Sequence, residues 1–113
     1  MTTRSRQQNG IFILELGGKI VGPSVLELRK VLLAEIEGSD TPRILLNFKH
    51  VRMIGSSGLG VLISIHAAAK RKNGRIGVVC VGKQIKNLIV VSRIVHLFEH
   101  FKDEAAAVSA LSV

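Results

Sequence analysis

The densest group of residues able to do chemistry lies mid-chain, where Gly55 to Gly60 reads Gly-Ser-Ser-Gly-Leu-Gly. Small residues let a chain turn sharply from strand to helix, and a serine at the turn can accept a hydrogen bond from a free N–H group of the helix. We therefore expect Ser56 or Ser57 to cap a helix. A phosphate on that hydroxyl would add about −1.5 to −2 charges at the positive helix end, enough to change which surface a partner accepts.

The same segment also fits a purely structural role, because serines and glycines are common at helix starts. Its glycines follow the order G-x-x-G-x-G, which differs from the dinucleotide-binding order, and no Lys-Ser or Lys-Thr pair follows as in a P-loop. No nucleotide or other cofactor is therefore predicted. The spacing alone leaves two interpretations open, a helix start that attracts an anion and an ordinary capped helix.

A hydrolytic site is not predicted either. Neither serine lies in a G-x-S-x-G motif. From Thr41 to Phe98 the chain contains no Asp or Glu that could orient a histidine base such as His66. We therefore expect a protein that binds a partner and is not an enzyme, with no catalytic residues.

Two histidines near the C-terminus form a further pattern, since His96 to His100 reads H-x-x-E-H. On a helix this pattern is typical of zinc proteases. Here the segment is predicted as a short strand, which would separate the two histidines by about 13 Å, too far to share one metal ion. We expect no metal site.

The apolar periodicity indicates which elements position these groups. Strand-like and helix-like segments follow the order strand, strand, helix, strand, helix, strand, helix, strand, helix. The first two strand segments, separated by Gly17-Gly18, are predicted as one bent strand or a tight hairpin. In the helix that starts at the serines, Leu59, Leu62, Ile63 and Ala67 are predicted to face one way. This alternation implies a sheet with parallel strand pairs, packed by helices.

The 113 residues fit a single domain, which we place at residues 11–113. Residues 1–10 lack apolar periodicity, which predicts a short mobile arm. The single cysteine, Cys80, lies in an apolar strand and is predicted to be a core residue. No apolar run approaches the length of a membrane span or follows a basic N-terminus like a secretory signal. We therefore expect a cytoplasmic protein without a membrane span.

The formal net charge of +8 is concentrated in the middle of the chain, which has many basic residues and no acid between Thr41 and Phe98. This positive electrostatic field favours an acidic partner, nucleic acid or an anionic surface. A face that is merely exposed to solvent can have the same composition. Tyr and Trp are absent and only 4 Phe are present, which leaves few platforms for stacking bases. A nucleic-acid partner is therefore not expected.

Two stretches carry a family likeness. Leu45-Leu46-Asn47-Phe48, followed by Ile54-Gly55-Ser56-Ser57-Gly58-Leu59-Gly60-Val61-Leu62, resembles the STAS domain of bacterial anti-sigma factor antagonists, in which strand-LNL precedes D-S-S/A-G-L-G at a helix start. Gly18-Lys19-Ile20, Asn73-Gly74-Arg75 and the Ala-rich helix after Phe101 fall where that family has equivalents. The resemblance covers Ile11 to Leu111 and implies an α/β STAS fold, a four- to five-stranded mixed β-sheet covered by about four α-helices.

The resemblance also implies a partner and a site. Members of the family bind an anti-sigma factor that is usually a serine kinase, which frees the sigma factor, and phosphorylation of the serine after the motif Asp blocks that binding. By this resemblance the partner is an anti-sigma factor with serine-kinase activity or a related STAS-binding protein, and Ser56 is the phosphorylation candidate. The partner-binding residues would be Gly55, Ser56, Ser57, Gly58 and Leu59.

Two acids of the family pattern are replaced in this chain. The motif Asp before the serine is Gly55, and the Asp after the early strand glycine is Val21. A carboxylate at either position could orient the hydroxyl or help a kinase to position its metal and phosphates. Their loss favours an alternative function, a non-phosphorylated STAS scaffold or accessory subunit of a larger signalling or lipid-transport complex.

Overall fold

The computed structural model describes residues 1–112, and from residue 11 onward strands and helices alternate as the periodicity predicts. They are β1 (Thr2–Gln8), β2 (Ile11–Ile20), α1 (Pro23–Glu37), β3 (Arg43–Ile54), α2 (Ser56–Lys70), β4 (Arg75–Val79), α3 (Lys83–Val91), a 3₁₀ turn (Val95–Leu97), β5 (Glu99–Phe101) and α4 (Glu104–Leu111). The strands lie in the order β1-β2-β3-β4-β5, with β1 antiparallel to β2 and the other neighbours parallel. The predicted class, a mixed five-stranded sheet with four α-helices, is confirmed.

The sheet buries apolar side chains on both faces, because successive residues of a strand point to opposite sides. One face of β2 and β3 packs with residues of α1, α2 and α3, and Leu14 and Leu46 belong to this larger core. The opposite face packs with α4, and Ile13 and Leu45 belong to that smaller core. Central strands covered on both faces read as continuous apolar runs, as β3 does at its start.

The prediction of a mobile arm over residues 1–10 is corrected by β1, which pairs with β2 along its whole length. Its side chains are all exposed, so apolar periodicity gave no signal. The turn does carry one, because Asn9 and Gly10 both have positive φ and Asn-Gly is typical of tight hairpins. Arg6 further ties β1 to the domain through ion pairs with Glu15 of β2 and Glu104 of α4.

Of two further segments, one agrees with its prediction and the other differs from it. Residues 11–20 form one strand with register shifts at Glu15/Gly17 and Gly18/Lys19, so the bent-strand alternative is confirmed. Cys80, predicted in the core, is exposed with φ 57°, because β4 ends at Val79 and the chain turns away there.

The strand predicted from His96 is shorter than expected. His96 lies in the 3₁₀ turn, and β5 begins at Glu99. Only residues 99–101 reach the edge of β4, where the pairing runs from Gly77 opposite Glu99 to Val79 opposite Phe101. The two histidines of the H-x-x-E-H pattern therefore lie on different elements.

The end of α1 is held by a lysine from the end of α2. No basic residue lies in the last turn of α1, and the Lys72 ammonium donates to the carbonyl oxygens of Ile36, Glu37 and Ser39 at 2.9, 3.2 and 3.1 Å. The last carbonyls of a helix lack intrahelical partners, and hydrogen bonds from a charged donor to such groups stabilise more than neutral ones. Lys72 therefore joins the two helix ends.

Replacing this lysine, Lys72→Met, is expected to lower the free energy of unfolding by about 1–2 kcal/mol, because the apolar stem is kept and the three hydrogen bonds are lost. Lys70→Met is the matched control, since Lys70 is an exposed lysine of the same helix end. Its expected cost is below about 0.5 kcal/mol. Urea unfolding of both variants measures the difference, and equal losses would show that the carbonyl contacts carry no stability.

A second prediction concerns the pH dependence of stability. The Arg75 guanidinium donates to both carboxylate oxygens of Glu99 and, at 3.0 Å, to the Ala110 carbonyl, which joins β4, β5 and α4. The hydrogen bond from Arg75 lowers the pKa of Glu99 from its ordinary value of 4.5, while partial burial opposes the shift. Because the folded pKa is depressed, the stabilisation is present above the unfolded value and is lost as pH falls through the folded one.

Urea unfolding of the wild-type protein and of Glu99→Gln, from about pH 7 down to about pH 3, tests this linkage. The wild-type protein is expected to be the more stable one at neutral pH, and the difference should shrink on acidification as Glu99 takes up a proton. A difference that stays constant over the range would contradict the role of the carboxylate charge.

Candidate functional site

The candidate site is the corner at which β3 passes into α2. Ile20 and Ile54, the last residues of β2 and β3, lie opposite each other in the sheet, so the two parallel strands end at one edge. Gly55 follows in extended conformation, and its N–H donates to the Ile20 carbonyl at 3.1 Å. Its own carbonyl accepts from the Leu59 N–H at 3.1 Å, which starts the helix. The corner is thus anchored by main-chain bonds to β2.

Ser56 and Ser57 are the first two residues of α2, and both are exposed. The prediction that one of them caps the helix is wrong. Gly55 is the cap residue, and no side chain accepts a hydrogen bond from the first turn. The reason is backbone conformation, since Gly55 is the extended residue at the boundary and the serines already lie within the helix.

The first turn of α2 therefore presents free N–H groups beside two hydroxyls. It contains no acidic residue that would neutralise the positive end of the helix dipole. Free N–H groups and the dipole together favour negative charge at this position. An acidic side chain of a partner, or a phosphate on either serine, fits this electrostatic environment.

Two further residues of the motif lie beneath the serines. Gly58 and Leu59 are buried, and Leu59 is only 7% exposed. A Cβ atom added at Gly58 would lie 2.7 Å from Ile54 Cγ1 and 3.3 Å from the Ile20 carbonyl oxygen. The absence of a side chain at this position lets α2 approach the ends of both strands, and so fixes where the serines stand.

The two positions at which the family pattern carries acids are neighbours in space. A Cβ atom added at Gly55 would lie 3.3 Å from Val21 Cγ1. Val21 is 37% exposed, so its side chain forms part of the surface of the corner. This corner is consequently apolar and uncharged at the place where two carboxylates would otherwise face the serines.

The outer side of α2 continues the exposed surface. Leu59 and Leu62 point into the core as predicted, whereas Ile63 and Ala67, predicted on the same side, are exposed. Ile63 is 42% exposed. The helix period explains the correction, since positions 56, 60, 63 and 67 form a stripe at helical spacing that begins at Ser56.

A groove that the sequence reasoning missed adjoins the corner. It has a volume of about 350 Å³, and its walls come from the end of β3 and from one side of α3. The lining residues are Arg52, Met53, Ile54, Gln84, Ile85, Asn87, Leu88 and Val91. The spacing of Gln84, Leu88 and Val91 was the available signal, because these residues share a helix side that is separate from the buried Ile85 and Ile89.

His66 does not take part in the corner. It lies ten residues beyond Ser56 on α2, about 15 Å along the helix axis. Its ring meets Phe98 edge-on, with centroids 6.2 Å apart. Burial lowers the pKa of His66, and the neighbouring Lys70 and His96 add to this effect. The imidazole is half-buried on α2.

Within residues 1–112 no three His, Cys, Asp or Glu side chains come together in a group that could hold a metal ion. In the H-x-x-E-H segment, the His100 Nε2 atom lies 2.7 Å from the Val95 carbonyl oxygen. None of the helices in this described part is long and apolar enough to span a membrane.

Sequence comparison with known proteins gives a family match and a named relative. The family model of the STAS domain matches residues 2–107. An anti-sigma F factor antagonist of Paenibacillus polymyxa is 24% identical over 104 residues, which cover 92% of this chain and 89% of the relative.

Solved structures show the same fold at low identity. An anti-sigma factor antagonist from Mycobacterium paratuberculosis superimposes with a TM-score of 0.85 at 21% identity, over 99% of this chain and 94% of that one. The Bacillus cell fate determinant SpoIIAA in its phosphorylated form superimposes with a TM-score of 0.77 at 17% identity, over 96% and 99%. With the family model matching nearly the whole chain, the protein is a member of the STAS domain family.

Proposed function

We propose that this protein is an anti-sigma factor antagonist that acts in the cytoplasm by binding, without catalysis. The observation that carries the proposal is the first turn of α2, where two exposed serines stand beside uncapped N–H groups at the end of two parallel strands. The relative from Paenibacillus polymyxa bears the name of this function. Ser56 and Ser57 would contact the partner, while Gly55, Gly58 and Leu59 would hold them in position.

The partner we propose is an anti-sigma factor with serine-kinase activity, or a related protein that binds STAS domains. The docking surface would run from the corner along the exposed stripe of α2, including Ile63. An exposed apolar side chain among small residues is a suitable centre for such an interface, since interface cores are depleted in charge. Basic residues in the surrounding chain would steer a partner of opposite charge.

Phosphorylation of Ser56 is the regulatory part of the proposal. A phosphoserine there would be favoured by the dipole and N–H groups of α2, so the folded domain would tolerate it well. The same group would place about −1.5 to −2 charges at the start of the docking surface, which would repel an acidic partner. One structural neighbour, SpoIIAA, is known in a phosphorylated form, which supports the idea for this fold.

The experiment is a titration of the purified protein with the anti-sigma factor candidate encoded nearest to its gene, with and without ATP. Saturable one-to-one binding, followed by release and a phosphate located on Ser56 by mass spectrometry, is the expected result. Binding without any phosphate would leave a constitutive antagonist and refute the switch. No binding, together with elution of the native protein in a large complex irrespective of ATP, would favour the scaffold or accessory subunit instead.

A further inference from the structure

The end of β3 projects beyond its neighbour on one side of the sheet. Its pairing with β4 ends at Asn47 opposite Val79, while its pairing with β2 continues to Ile54. Within residues 1–112 no strand pairs with residues 48–54 on the β4 side. A stretch of this length is about 20 Å long and leaves a row of main-chain donors and acceptors without a strand partner.

The same open edge borders the groove described above. Arg52, Met53 and Ile54 come from this edge, and the facing wall is a side of α3 with Gln84, Leu88 and Val91. The apolar side chains remain partly open to solvent, with Met53 46%, Leu88 41% and Val91 78% exposed. An unpaired strand edge beside a helix with apolar side chains is an arrangement to which an extended peptide can add as a strand.

Charge selects the kind of peptide. Arg52 lines the groove and Lys49 lies on the same strand end, while no Asp or Glu occurs between Thr41 and Phe98. A second copy of this chain would bring a further net charge of +8 to the same place, which disfavours self-pairing. An acidic segment of another protein is the complementary occupant.

We propose that residues 48–54 and α3 form a second binding site, which takes an extended acidic peptide of a partner protein by strand addition to the free edge of β3. Main-chain hydrogen bonds would hold the peptide along the strand. Alternate side chains would enter the groove between Met53 and Leu88, because side chains of a strand alternate in direction. Arg52 would pair with a carboxylate of the peptide. The site begins where the serine corner ends and works independently of it.

The test uses the ¹⁵N-labelled full chain and three synthetic probes, observed by amide NMR. The first probe is an end-capped peptide of alternating glutamate and valine, about six residues long to match the free edge. The second carries N-methyl groups on alternate amides, and the third has lysine in place of glutamate. We expect amide shifts in residues 48–54 and α3 with the first probe, and affinities lowered at least about tenfold with the other two, because they lose main-chain bonds or charge pairing.

The second part of the experiment measures how substitutions of exposed residues change the affinity for the first probe. Arg52→Glu and Leu88→Asp are each expected to weaken binding of the first probe about tenfold. Leu26→Asp is the matched control, because Leu26 is an exposed leucine on α1 with 71% of its surface open, away from β3. It should leave the affinity unchanged. Ser56→Ala should also leave peptide binding unchanged, because it removes the corner hydroxyl without adding a charge beside the groove, and this separates the site from the proposed antagonist function.

Several results would overturn the inference. No amide shifts up to about millimolar probe would do so, since even weak strand addition is visible at that concentration. Equal binding of the N-methylated probe would show that main-chain pairing is not used. Shifts confined to the serine corner or to α1 would place the peptide elsewhere. Concentration-dependent self-association that shifts residues 48–54 without any probe would assign the edge to a second copy of the chain.

Discussion

Ser56→Asp is expected to weaken binding of the proposed anti-sigma partner by about a hundredfold, which corresponds to about 2.7 kcal/mol and is in the range of an interface hot spot. Ser56 is exposed at the first position of α2, and no side chain of the domain caps that turn. A permanent carboxylate there would occupy the positive helix end that a partner's acidic group would otherwise approach. Isothermal titration of the partner into each variant measures the change.

The same variant is expected to be more stable than the wild-type protein. Misfolding therefore cannot explain its loss of affinity. A carboxylate in the first turn interacts favourably with the helix dipole, so Ser56→Asp should raise the free energy of unfolding by about 0.3–1 kcal/mol. Ser109→Asp is the matched control, because Ser109 is exposed on α4, the helix on the other face of the sheet. Its affinity should match that of the wild-type protein. An unchanged affinity for Ser56→Asp would refute the corner as the docking site.

Gly58→Ala is expected to lower the free energy of unfolding by about 2 kcal/mol, the cost typical of overpacking a well-packed site. The new methyl group would lie 2.7 Å from Ile54 Cγ1 and 3.3 Å from the Ile20 carbonyl oxygen. Ile54 is itself 3% exposed, so its side chain has little room to move aside. The start of α2 must shift away from the strand ends, and with it both serines. Partner affinity should therefore fall together with stability.

Gly60→Ala, two residues further along the same helix, is the matched comparison. A Cβ atom at Gly60 meets nothing within 4 Å. Alanine in an exposed helical position stabilises relative to glycine by about 0.5–1 kcal/mol, because the unfolded chain loses less freedom on folding. The midpoints of thermal and of urea unfolding should therefore fall for Gly58→Ala and rise for Gly60→Ala. Stabilisation by both would mean that Gly58 does not define the packing of the corner.

The replaced acids change what the corner can offer to a kinase. Gly55 and Val21 lie side by side, so both positions that carry an acid in the family pattern fall in one small region without a carboxylate. A kinase that phosphorylates Ser56 would have to position its own metal and nucleotide phosphates without help from this surface. Restoring an acid by Gly55→Asp, and comparing the phosphorylation rate with that of the wild-type protein, would measure how much the missing carboxylate contributes.

The fold class followed from the amino-acid pattern because it rests on local signals. The apolar run of Ile44 to Leu46 identifies a strand, and the helical spacing of Val25, Leu28, Leu32 and Ile36 identifies a helix, each without knowledge of its neighbours. Alternating strands and helices then predict parallel pairs covered by helices, and the structure confirms them. The polar strand β1 was missed because all its side chains are exposed, so its pairing with β2 produces no hydrophobic pattern. Its Asn-Gly turn was the signal that could have predicted the hairpin.

The serine motif marked the candidate site from the sequence alone, because small residues and hydroxyls at the start of a helix form a local pattern. Only the tertiary structure decided the roles within it. Gly55, not a serine, follows the strand and caps α2, and Gly58 differs from Gly60 because only Gly58 lies against Ile54 and the end of β2. The groove between β3 and α3 also depends on the residues by which β3 extends beyond its pairing with β4. These contacts join residues that are far apart along the chain. Their geometry is set by tertiary packing, so a local sequence pattern cannot predict it.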